Sequence, residues 1–171
     1  MATEVGLRGV YVPLITPFDV AGSVAVDSVE ALCHRYLDAG ATGVVALGTT
    51  GENAALDADE RRLVVDTCAR VCAQRSAPLI VGAGTNSTAA SIAAVQALRG
   101  TPALVAVLSV VPYYVRPSEA GIVEHFRAVA AASPAPLVLY NVPYRTGRAL
   151  GAAALLELAR DPGVAGLKQA V

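Results

Sequence analysis

The chain has 171 residues, 54% apolar and 16% charged, with a formal net charge of −1. That length suits one domain with a substantial core, and so low a charged fraction points to secondary structure buried on more than one side. With no basic excess, nucleic acid and anionic membrane surfaces are disfavoured as partners.

At the N-terminus, acidic Glu4 precedes Arg8 and no basic segment leads into an apolar one, so no signal peptide is expected. The longest apolar runs fall short of the ~18 residues that a membrane-spanning helix requires. A soluble, cytoplasmic protein without a membrane partner is the expectation. Cys33, Cys68 and Cys72 are an odd set, which fits reduced thiols. Cys68 and Cys72 lie four apart on a predicted helix, yet no His or carboxylate nearby completes a metal set, so packing is their expected role and no metal is called for.

Apolar runs rich in Val, Leu and Ile predict strands at Val10–Ile15, Gly43–Leu47, Pro78–Val81, Ala103–Ser109, Pro136–Tyr140 and Val164–Leu167. Amphipathic stretches between them predict helices at Asp27–Ala39, Asp57–Gln74, Ser87–Arg99, Ser118–Ala132 and Leu150–Arg160. Asp27 with Glu30, and Asp57 with Glu60, have capping-box spacing. Ser87 and Ser118 read as caps, and Gly40 and Gly100 as helix ends. This repeated βα unit implies parallel strands joined by right-handed crossovers.

Two α/β architectures fit, an open doubly wound sheet and a (β/α)8 barrel. Thr16-Pro17-Phe18-Asp19 stands where a dinucleotide-binding glycine fingerprint would follow the first strand, which weakens the open sheet. In a barrel the functional groups gather in the loops after the strands, and the polar residues of this chain do the same.

After the second strand comes Gly48-Thr49-Thr50-Gly51-Glu52-Asn53. Its glycines let the backbone turn and approach a ligand, while the hydroxyls and amides of Thr49 and Thr50 suit a carboxylate. The loop lacks the lysine and spacing of a phosphate-binding loop, and an ordinary turn is the alternative. After the fourth strand comes Val111-Pro112-Tyr113-Tyr114-Val115-Arg116-Pro117, and at the end of the fifth Tyr140-Asn141-Val142-Pro143-Tyr144-Arg145-Thr146-Gly147. Five of the six tyrosines fall at or just after strand ends, in a chain with only two phenylalanines, so their hydroxyls are the feature of interest.

The last predicted strand, Val164-Ala165-Gly166-Leu167, runs into Lys168. A lysine ending a buried strand either snorkels to solvent or is used as an amine whose charged form burial disfavours. Beside a tyrosine that shuttles protons and an arginine that grips carboxylates, the second reading describes a Schiff-base site. Tyr11, Tyr36 and Arg148 read instead as ordinary strand-end or surface residues.

The GTTGE loop at Gly48–Glu52, PYYxRP at Pro112–Pro117, YNVPxRTG at Tyr140–Gly147 and G-x-K at Gly166–Lys168 occur in the order and spacing of a known family. From about Leu7 onward the chain resembles the dihydrodipicolinate synthase and N-acetylneuraminate lyase family of class I pyruvate aldolases. The resemblance implies a (β/α)8 TIM barrel and a homo-oligomer, a dimer or a dimer of dimers. It implies an imine between Lys168 and pyruvate, with no cofactor. Tyr140 would relay protons, and Thr49 and Tyr114 would complete a hydroxyl relay, Tyr114 reaching across a dimer interface. Thr50 would hold the pyruvate carboxylate in the loop bounded by Gly48 and Gly51, and Arg145 the carboxylate of the second substrate. Thr49-Thr50 and Arg145-Thr146-Gly147 are similar to the synthase branch, whose aldehyde is L-aspartate 4-semialdehyde. The alternatives are a neuraminate or 2-keto-3-deoxy sugar acid aldolase, or a non-catalytic binding module.

The chain departs from that pattern at Gln169, where the synthases usually have Glu, and at Val171, where Ser or Thr is usual. Near the family's lysine-feedback site Asn86 matches, while Ala90 and Ala58 replace an acidic residue and a histidine. Residues 1–171 carry six strands and five helices of a barrel that needs eight of each. They are therefore expected to be the N-terminal part of a single barrel domain, with two βα units and a C-terminal helical region absent.

Overall fold

The computed structural model describes residues 6–170, so Glu4 and Val171 lie outside the described residues. These form two compact units, one of residues 6–82 with 100–105 and one of residues 83–99 with 106–170.

In the first unit the elements are β1 (Tyr11–Pro13), α1 (Val26–Asp38), β2 (Gly43–Ala46), α2 (Ala58–Gln74) and β3 (Leu79–Gly82). The strands pair in parallel in chain order, Tyr11 opposite Gly43 and Val44 opposite Leu79. All of β3 is buried, as expected for a parallel strand covered on both faces. β1 is shorter than its apolar run, and Val10 and Ile15 are left exposed. Pro13, without an N–H, marks its end.

α2 begins with the expected capping box: Asp57 accepts from the Glu60 N–H at 2.8 Å, and the Asp57 N–H donates to Glu60 at 2.9 Å. The matching expectation at α1 fails. That helix starts at Val26 with no side-chain cap, and Glu30 instead accepts from both terminal nitrogens of Arg70 on α2, at 2.9 and 2.7 Å. A bidentate guanidinium outcompetes a single backbone N–H for a carboxylate. Beneath that pair, Cys33 and Cys68 touch at 3.7 Å between sulfurs, and Cys72 is equally buried. Burial pushes the Cys72 thiol up to about 12, so it packs as a small neutral group.

The second unit holds α3 (Thr88–Gln96), β4 (Leu104–Val110, entering at Ala106), α4 (Glu119–Ala132), β5 (Leu137–Asn141), α5 (Pro143–Thr146), α6 (Ala152–Leu158) and β6 (Val164–Gln169). Ser87 caps α3 by accepting from the Ala90 N–H at 3.3 Å, and Ser118 caps α4 by accepting from Gly121 at 3.1 Å. Both α3 and α6 end sooner than their amphipathic stretches, while α5 was not expected at all. On α4, Ile122, Phe126 and Val129 form a fully buried stripe at helical spacing. β4, β5 and β6 pair in parallel, Val107 opposite Leu137 and Leu137 opposite Val164. β6 is not the buried strand expected from its sequence: its residues alternate between half-buried and exposed, with Leu167 42% exposed. Among the described residues no helix is long and apolar enough to cross a membrane.

His125 on α4 is 4% exposed, with Nδ1 2.9 Å from the Thr88 hydroxyl and Nε2 without a partner. Burial pushes its imidazole below its ordinary range. The folded state therefore binds fewer protons than the unfolded state, and stability rises with pH across that interval. Unfolding free energy is expected to be at its full value above ~6.5, the unfolded histidine pKa, and to fall as pH drops toward the depressed folded value. Urea unfolding at about pH 7.5 and about pH 5.5 checks this, and His125→Gln should shrink the difference between the two.

Candidate functional site

The residues at the C-terminal ends of β5 and β6 are positioned by an irregular register. Leu137 pairs with Val164, but Val138 pairs with Gly166, so one step along β5 matches two along β6. The extra residue is Ala165. Past it, Leu139 pairs with Leu167, Tyr140 with Lys168 and Asn141 with Gln169. Side chains alternate faces along a strand, so this single step decides which face Lys168 occupies.

Leu139 and Leu167 line an apolar groove with Leu155 and Leu156 of α6. Tyr140 and Lys168 therefore project from the opposite face. There the half-buried Lys168 places Nζ 4.2 Å from the centre of the Tyr140 ring, and Tyr140 itself is 6% exposed. The ammonium lies over the ring, an attraction worth ~0.5–2 kcal/mol. The strand end is thus only half-buried, and the lysine still turns onto the tyrosine.

After β5 the chain makes the single turn of α5, with Pro143 at its start and Gly147 closing it in the left-handed region at φ 67°. The buried Thr146 hydroxyl lies 3.2 Å from the Val142 carbonyl and 2.8 Å from that of Arg148, which holds the turn shut. Arg145 projects from this turn. Its guanidinium carbon is 5.1 Å from the Tyr144 ring centre, and Nε donates to the Tyr144 hydroxyl at 3.2 Å. Among the described residues its two terminal nitrogens make no hydrogen bond, which leaves a fork for a carboxylate.

The loop after β4 is tied to this turn. Arg148 Nε donates to the Pro117 carbonyl at 2.7 Å, and a Cβ on Gly147 would stand 2.6 Å from Arg116 Nε. Within that loop Tyr114 has φ 70° and Arg116 φ 46°, a left-handed backbone that costs ~1–2 kcal/mol for a residue with a side chain. Tyr114 is 87% exposed at the tip.

Thr49 and Thr50 lie in the first unit, exposed, in a short 3-10 helix Thr49–Gly51 that follows β2. The chain turns at these glycines as expected, without left-handed backbone at either one. Gly48 is extended, and the left-handed residues are Leu47 at φ 55° and Glu52 at φ 53°. Gly51 eases a close approach: a Cβ would stand 3.1 Å from the Leu14 carbonyl, and the Thr16 hydroxyl donates to the Gly51 carbonyl at 2.7 Å. Among the described residues no three His, Cys, Asp or Glu side chains group to hold a metal.

A family model described as the dihydrodipicolinate synthetase family matches residues 6–171. The chain belongs to that family. The 4-hydroxy-tetrahydrodipicolinate synthase of Neisseria meningitidis serogroup C is 41% identical over 164 residues, 96% of this chain and 56% of the relative. The enzyme of that name from Porphyromonas gingivalis is 42% identical over 165 residues, 96% of this chain and 55% of its own. Among solved structures, the chloride-inhibited dihydrodipicolinate synthase of Acinetobacter baumannii, complexed with pyruvate, has a TM-score of 0.90 at 36% identity, covering 95% of this chain and 55% of that one. The chain thus spans about half the length of the curated relatives it matches. The fold is the α/β TIM barrel of the dihydrodipicolinate synthetase family, of which this chain carries six strands.

Four features that position these groups were missed in the sequence: the bulge at Ala165, the Asn141–Gln169 hydrogen bond of 2.9 Å, the α5 turn and the Arg148 tie. Pro143 and Gly147, bracketing the short turn, were the available signal for α5. Gly147→Ala is expected to cost ~1–2 kcal/mol from the left-handed backbone, since the exposed guanidinium end of Arg116 can move aside. Chemical denaturation measures that cost.

Proposed function

We propose that this chain is the lysine-bearing part of a Schiff-base lyase that condenses pyruvate with L-aspartate 4-semialdehyde to 4-hydroxy-tetrahydrodipicolinate. The observation that carries the reading is Lys168 Nζ turned 4.2 Å over the Tyr140 ring, on the sheet face away from the α6 groove. The free amine of Lys168 attacks the C2 carbonyl of pyruvate, and the resulting carbinolamine loses water to give the imine. Tyr140 relays the proton that accompanies this loss, in a hydroxyl relay with Thr49 and Tyr114. Removal of a C3 proton then gives the enamine, which adds to the aldehyde carbon as the aldehyde oxygen takes up a proton; the amino group of the aldehyde substrate then attacks the imine carbon and expels the Lys168 amine, which closes the ring.

Thr50 and the backbone from Gly48 to Gly51 hold the pyruvate carboxylate, and Arg145 holds the carboxylate of the aldehyde. The reaction draws its electron sink from the imine and needs no cofactor. Tyr114, exposed and held in a costly backbone conformation, reaches a neighbouring subunit in a dimer or a dimer of dimers. Residues 1–171 are the N-terminal part of one barrel domain in this reading, which the half-length match to the relatives supports.

Borohydride added with pyruvate is expected to leave one carboxyethyl group on Lys168, located by peptide mass mapping, and none on Lys168→Ala. Absence of the adduct on the wild-type chain favours a non-catalytic module that keeps the fold. Tyr140→Phe should slow adduct formation by roughly 10²-fold or more while the phenyl ring still underlies the amine. In turnover with aspartate semialdehyde, Arg145→Ala should raise KM for the aldehyde ~10-fold or more and leave that for pyruvate within about twofold. Equal effects on both would remove Arg145 from its assigned role.

A further inference from the structure

We propose that Asn141 and Gln169 form a register lock that holds Lys168 over Tyr140, which makes them positioning residues for the amine. The proposal rests on the imine reading above for its functional meaning, and on β5–β6 geometry for its physical content.

Two registers compete at this strand pair. Continued one for one from Leu137–Val164, the pairing would set Leu167 opposite Tyr140 and Lys168 opposite Asn141. Lys168 would then share the face of Leu139 and the α6 groove, an apolar surround for an ammonium. The observed register avoids this only because Ala165 bulges. The bulge sets the offset, but it leaves Ala165 unpaired and the ladder locally disrupted, so the pairing beyond it draws on contacts of its own.

Selection comes from the polar contacts at the end of the strand pair. In the observed register Asn141 Nδ2 donates to Gln169 Oε1 at 2.9 Å, and the Ala170 N–H donates to the Asn141 carbonyl at 2.9 Å. Asn141 is 2% exposed, and its Oδ1 has no partner, so the bond to Gln169 is the one that satisfies this buried amide. A slip by one residue carries Gln169 to the other face and breaks it. Both lock residues stand next to the paired Tyr140 and Lys168, so the constraint acts where displacement matters most. The same slip removes Lys168 from its face altogether.

The pair also admits a conservative test, because an amide can present either end. Asn141→Asp accepts from a turned Gln169 amide, and Gln169→Glu accepts from Asn141, so each single variant keeps one hydrogen bond. The double variant, read at a pH where both carboxylates are ionised, sets two negative charges against each other and keeps none. Gln169→Met is a further variant at an exposed position, where the chain keeps its bulk and loses the amide that accepts from Asn141.

Two readouts are taken on all variants: the ring-current shift that the Tyr140 ring imposes on the Lys168 ε-methylene protons by NMR, and the rate of borohydride trapping with pyruvate. The two single carboxylate variants should keep the shift and trap within about threefold of wild type. The double variant and Gln169→Met should lose most of the shift and trap at least about tenfold more slowly. A full shift in Gln169→Met overturns the lock. So does a shift lost equally in the single carboxylate variants, which keep the bond. If the double variant fails to fold, Gln169→Met decides. Failure of wild type to trap pyruvate would remove the imine reading, and the NMR shift would still judge the lock.

Discussion

A one-residue step in strand register is the constraint on which the rest of this site depends. Lys168 and Tyr140 belong to neighbouring parallel strands whose side chains alternate faces, and parity along β6 decides whether the amine meets a phenol ring or an apolar groove. Ala165 supplies the odd residue. The hydrogen bond between Asn141 and Gln169 then sits one position beyond the pair it aligns, on the opposite face, where it leaves the lysine side clear.

Around this pair the chain accepts local cost in return for position. Tyr114 and Arg116 stand in left-handed backbone, Asn141 keeps an unpartnered buried oxygen, and Arg145 leaves its guanidinium fork free among the described residues. The ties that maintain these arrangements are short and local. Thr146 closes the α5 turn, Arg148 reaches the Pro117 carbonyl, and Gly147 makes room for Arg116. None of these ties is a large source of stability, which comes instead from stripes such as Ile122, Phe126 and Val129 and from the buried strand β3.

Much of the element order was legible because its signals are local. The period of apolar residues, the Asp57–Glu60 box and the Ser87 and Ser118 caps each work within a few residues of chain, and each formed as expected. Asp27 and Glu30 carry the same spacing as Asp57 and Glu60 yet make no box, because Arg70, forty residues away, holds Glu30 in a bidentate pair. The glycines after β2 were legible only in part. The chain turns there as their motif suggested, but the left-handed positions fall on Leu47 and Glu52, and a Cβ on Gly51 would crowd the Leu14 carbonyl at 3.1 Å.

By itself the sequence determined the α/β class, the order of the six strands and of every α-helix but the single turn of α5, and the kinds of side chain available at the strand ends: an amine, phenols, hydroxyls and a guanidinium. Tertiary structure alone decided that Lys168 faces Tyr140, that Arg145 lies against Tyr144, and that the tip of the β4 loop holds Tyr114 outward. The reason is physical. Propensity and capping are read over a few neighbouring residues, whereas strand register and the face a side chain takes are settled by partners that only folding brings alongside.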